Sequence, residues 1–143
     1  MAKVEARRVR IAVVLGMLMW VATGTMVLAQ VPGKPTGTPL TGAELKNMFE
    51  RGAIIDHYHP GGIWRGSTVV DPSGLVFANW LEASGVGGQD LGTWRMVGDT
   101  FCLKYKTVRG GMETCFRHYK VGDNTYQIWL TDGRFNSAYR LRP

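Results

Sequence analysis

Past Gly52 the chain alternates apolar and polar residues in short runs, and each run ends at a cluster of Gly, Asp, Asn or Pro. A period of two is the signature of strands with one face buried. The breaks are turn-forming: "DPSG" at 71–74 suits a type I turn, and "GD" at 98–99, "GDN" at 122–124 and "DG" at 132–133 suit tight hairpins. The pattern predicts a mainly β domain of about eight antiparallel strands, an up-and-down meander that closes into a barrel or stays a curled sheet. Such a barrel encloses one small ligand or is filled by its own side chains. One stretch has a different period. In "TGAELKNMFERG", 41–52, Thr41 and Glu44 form a capping-box pair, Leu45, Met48 and Phe49 share a helical stripe, and Gly52 stops the run. This predicts one short N-terminal helix that plugs or covers the sheet. "ASGVGGQD" at 83–90 lacks the spacing of a phosphate-binding loop and reads as a flexible loop.

The two cysteines extend the pattern to a register. With Cys102 opposite Cys115, Phe101 faces Phe116, Leu103 faces Thr114 and Tyr105 faces Met112, while Lys104 and Glu113 form an opposite-charge pair on the other face. A two-residue turn at Gly98-Asp99 adds Met96 opposite Phe101 and Trp94 opposite Leu103 on the core side. A one-residue slip would invert every one of these side chains. A three-residue turn at 122–124 puts Tyr126, Ile128 and Leu130 on the core face. The last turn then sets Leu130 against Phe135 and Tyr126 against Tyr139. The opposite face of the final strand carries Arg134, Asn136, Arg140 and Arg142.

The first twenty-nine residues change the charge picture. Lys3, Arg7, Arg8 and Arg10 precede the apolar run "IAVVLGMLMWVATGTMVLA", and Val27-Leu28-Ala29 suits a signal peptidase. The expected organisation is a signal peptide at 1–29, a flexible Pro/Gly/Thr tether at 30–40 and a single β-rich domain at 41–143. An uncleaved signal segment would be the only route to the membrane. Arg7-Arg8 hints at twin-arginine export, which the following residues do not support. Losing four basic residues and one acidic residue lowers the net charge from +6 to +3. That excess is too small for a nucleic-acid footprint, so no nucleic-acid partner is expected. A lone cysteine pair in an exported chain predicts a disulfide, and the expected location is periplasmic or secreted.

Gly92-Thr-Trp94, Gly98-Asp99, Cys102, Cys115-Phe116 and Asp132-Gly133 are short motifs of turn and core residues. Through them the segment from about Leu40 to Phe135 resembles a family of small exported bacterial proteins of unknown function. The resemblance implies export, a β-rich domain with a cysteine pair, and no established activity. Gly92-Thr-Trp94 also looks like the opening of a lipocalin strand, but it lies in mid-domain.

Candidate chemistry is sparse. His57 and His59 share one face of a strand, as metal ligands do, and His118, on the core face opposite Asp99, is the third histidine. No other cofactor is indicated. Ser67, Ser73, Ser84 and Ser137 sit in no nucleophile motif. Asp71, Asp99, Asp123 and Asp132 fall at turns, and Glu82 and Glu113 show no sign of pairing in a cleft. The expected ligand surface is Trp64, Trp80 and Trp129 with Arg134 and Arg140, facing a small ligand, an anionic envelope polymer or a protein. The leading expectation is a non-enzymatic binding or envelope-associated accessory role. The alternatives are a metal-binding protein or metal-dependent enzyme using His57 and His59, and a secreted protein inhibitor.

Overall fold

The computed structural model describes residues 30–143, so the predicted signal peptide lies outside it. The elements are β1 (Thr38–Pro39), α1 (Gly42–Phe49), β2 (Ala53–Tyr58), β3 (Trp64–Val70), β4 (Leu75–Glu82), β5 (Gly87–Val97), β6 (Thr100–Tyr105), a single 3-10 turn (Val108–Gly111), β7 (Thr114–Gly122), β8 (Thr125–Leu130) and β9 (Phe135–Leu141). Strands β2 to β9 pair in sequence order, all antiparallel, and β9 returns to β2 through Ile55–Leu141 and His57–Tyr139. The sheet is therefore a closed eight-stranded barrel.

The weakest seam lies between β6 and β7, which pair over only Phe101–Leu103 and Thr114–Phe116. Cys102 and Cys115 face each other there and form the disulfide. Beyond it β6 leaves, and β1 takes over the same edge of β7 by pairing with Tyr119 and Lys120. The Leu40 amide adds a bond to the His118 carbonyl at 2.9 Å. The end of the segment expected to be a flexible tether is thus a strap. Pairing satisfies its backbone, Thr36 accepts a bond from Gln127, and Gly37 lies so close to Lys120 that a Cβ would stand 2.3 Å from its carbonyl oxygen.

The α1 helix closes one end of the barrel. Thr41 caps it with the full reciprocal capping box, and Asp99, at the β5–β6 turn, accepts a bond from the Gly42 amide. Leu45 and Phe49 are wholly buried, packed on Ile55, Val70, Val76, Phe101, Tyr126 and Tyr139. Phe49 lies 4.6 Å from Phe101 between ring centroids.

The predicted pairs of β5, β6 and β7 hold from Trp94–Leu103 to Phe101–Phe116. Four expectations do not. Pairing of β6 and β7 stops at Thr114, so Met112 is an exposed loop residue rather than the partner of Tyr105. Glu113 is held by Arg95 of β5 in a two-bond ion pair, where Lys104 was expected. The guanidinium fork fits a carboxylate better than an ammonium does. In β9 the register shifts between Ile128–Ser137 and Trp129–Phe135, leaving Asn136 as an extra residue. This bulge pairs Phe135 with Trp129 rather than with Leu130, and it turns Asn136 out of the basic row. Finally, residues 87–90 of the expected glycine loop belong to β5, because Gly88 gives room to the Trp80 indole, 2.4 Å from where a Cβ would sit.

Candidate functional site

The barrel is packed at the α1 end and hollow at the other. The hollow half is a cavity of about 590 Å³, within the range of small-molecule sites. Its wall is mostly apolar, with Ile55, Trp80, Leu103, Phe116 and Ile128 prominent, and the opening lies among the β2–β3 hairpin, the end of β4 and the β6–β7 loop. The polar groups of the wall fall into an inner set and a set at the mouth.

The inner set surrounds Tyr139. His57 Nε2 lies 3.1 Å from the Thr68 hydroxyl, and its Nδ1 lies 3.4 Å from Ser137 Oγ. His118 Nδ1 lies 2.9 Å from the Tyr139 hydroxyl, which also points at the Met48 sulfur. His118 Nε2 is buried with no hydrogen-bond partner among the described residues. Burial disfavours charge on both rings and lowers the pKa of His57 to about 4 and of His118 to about 3, the neighbouring His57 adding to the effect on His118. Burial likewise raises the pKa of the Tyr105 hydroxyl, and it raises that of Tyr139 well above the ordinary tyrosine value. At neutral pH the inner wall carries no charge.

The mouth is built by the β6–β7 loop. Asp90 points inward from β5, and its Oδ2 accepts bonds from the Thr107 amide, the Thr107 hydroxyl and the Val108 amide, each at 2.8 Å. Those donors, first the Val108 amide, hold its carboxyl well below the usual range despite burial. The loop then turns through three consecutive left-handed residues, Arg109, Gly110 and Gly111. Arg109 is the one non-glycine residue with positive φ among the described residues (φ 57°). Its guanidinium lies 5.4 Å over the Phe116 ring and donates to Asn136 Oδ1 at 2.7 Å. Partial burial lowers its pKa, and Arg134 lowers it further while Asp132 opposes them.

Of the expected site residues, His57, His118, Trp64 and Trp80 line the cavity. His59 does not join the other histidines: the β2–β3 turn engages it, with Nδ1 accepting from the Gly61 amide and the ring edge-on to Phe135. The three histidines therefore form no ligand set. Among the described residues only Cys102, Glu113 and Cys115 bring three such side chains together, and both cysteines are in the disulfide. Trp129 is not a ligand surface: it is covered on the outer wall against Phe135, with its indole N–H on Gln127. Arg134 is exposed and paired with Asp132, and Arg142 with Asp56, while Arg140 is exposed. The sequence singles out neither Asp90 nor Arg109, and it sets Asn136 in the basic row of the final strand rather than at the cavity. The alternation that places Trp94 and Met96 inward also places Asp90 inward, so its signal was present.

The architecture is that of a closed antiparallel barrel with one plugged end and one hollow, apolar end. No family model, no curated protein and no solved structure matches the chain.

Proposed function

We propose that this protein binds one small, largely apolar molecule inside the barrel, as an exported carrier or sequestering protein without catalytic activity. The observation that carries the reading is the hollow half of the barrel, about 590 Å³ walled by apolar and aromatic side chains. A domain of this size gains stability by filling its interior, and an unfilled apolar space forgoes contacts that a ligand restores. Export is supported by the basic-then-apolar start of the chain, and the Cys102–Cys115 disulfide is consistent with an oxidising compartment. The periplasm or the extracellular medium is the proposed place of work.

An apolar fluorophore such as N-phenyl-1-naphthylamine tests this directly. The oxidised protein should bind it saturably at one site per chain. Leu103→Trp, which fills the cavity from β6, should weaken binding at least about tenfold with the fold retained. No saturable binding by the folded wild type, or unchanged binding by Leu103→Trp, would remove the reading.

A further inference from the structure

Arg109 differs from the arginines that form ion pairs. Arg95, Arg134 and Arg142 each hold a carboxylate, of Glu113, Asp132 and Asp56 respectively. Arg109 forms no such ion pair among the described residues; the oxygen it holds is the neutral amide oxygen of Asn136. Three separate features place it at the cavity mouth: the Asp90 carboxylate that pins the start of its loop, the left-handed turn, and the β9 bulge that re-aims Asn136. A guanidinium seated on an aromatic face and one amide oxygen still has donors free for a planar anion.

The interior restricts what can lie deeper. Apart from Glu82 and Arg109, the titratable groups of the lining are His57, His118 and Tyr105, and burial holds all three uncharged at neutral pH. An ionised head group pushed among them would lose its hydration without gaining a counter-charge. Among the residues that line the cavity the one other charged group is Glu82 of β4, itself an acid, and Arg134 is committed to Asp132.

We propose that the ligand is an amphiphilic monocarboxylate that lies tail-first in the barrel, its apolar chain along Leu103, Phe116 and Trp80 and its carboxylate on Arg109 at the mouth. This rests on the cavity being a ligand site and adds the head group and its direction. The pair would be charge-assisted and oriented by the planar fork of Arg109.

Displacement of bound N-phenyl-1-naphthylamine by decanoate and by decanol, at equal chain length, reads the head group alone. Decanoate should displace the fluorophore at about tenfold lower concentration, and Arg109→Gln should bring decanoate to the level of decanol. Arg109→Lys should keep part of the preference, since it keeps the charge and loses the fork. Equal displacement by the two compounds, or a preference that survives in Arg109→Gln, would overturn the head-group assignment while leaving the cavity as a binding site. Failure of the fluorophore to bind the wild-type protein would overturn both.

Discussion

The two ends of the barrel use the same strands for opposite purposes. At the closed end, Leu45 and Phe49 of α1 enter between the strand ends and leave no exposed apolar surface of their own. At the open end none of the described elements enters; the β6–β7 loop, tied to Asp90, frames an apolar hollow instead. The buried core gathers where the helix plugs the barrel. The open end can therefore keep unsatisfied apolar wall, a strained arginine and an unpaired charge without unfolding the domain.

Unfolding measurements in urea should expose this asymmetry. The largest effect is expected at the plug: Phe49→Ala removes a wholly buried ring and should lower stability by about 3–5 kcal/mol. A loss below about 1 kcal/mol would mean that the helix is peripheral. Next comes the disulfide, which staples the three-residue seam; replacing both Cys102 and Cys115 by Ala should lower stability by about 3 kcal/mol.

Acid should act through the two inner histidines. Their folded-state pKa values, about 4 for His57 and about 3 for His118, lie below the ordinary 6.5, so the unfolded chain binds more protons than the folded one. Their contribution is complete above about pH 6.5 and is lost as pH falls, by up to about 1.4 kcal/mol per histidine per unit. Urea midpoints at pH 7, 6 and 5 should fall in that order, and flat midpoints would show that neither ring is held neutral.

Smaller effects belong to the open end. Leu103→Ala, with one side already facing the cavity, should cost about 1–2 kcal/mol, well short of Phe49→Ala. A cost equal to that of Phe49→Ala would erase the distinction between the ends. Arg109→Gln should cost no more than about 1 kcal/mol, from the lost contact with Phe116 and the lost bond to Asn136, and its main readout is the ligand preference.

Much of the fold was legible because its signals are local. The capping box of Thr41 and Glu44, the glycine turns and the cysteine register all follow from stereochemistry within a few residues or across one hairpin. The exceptions are contacts that reach beyond one paired hairpin. Glu113 pairs with Arg95 of β5 rather than with Lys104, its expected cross-strand counterpart, and the cover that Phe135 and Gln127 give Trp129 on the outer wall cannot be seen from alternation. Residues 57–62 show where alternation ends: it put His57 and His59 on one face, but only His57 lines the interior, and the turn claims His59 for its own backbone.

The amino-acid order by itself determined eight pairing strands, their neighbours in the meander, one plugging helix and the inward parity of most core residues. Each of these depends on contacts between chain neighbours or across a single turn. Tertiary structure alone decided that β9 closes on β2, that a bulge carries Asn136 to Arg109, and that His57, His118 and Tyr139 share one interior. Those depend on the curvature and shear of the closed sheet, which sum over all eight strands and are encoded in no one of them.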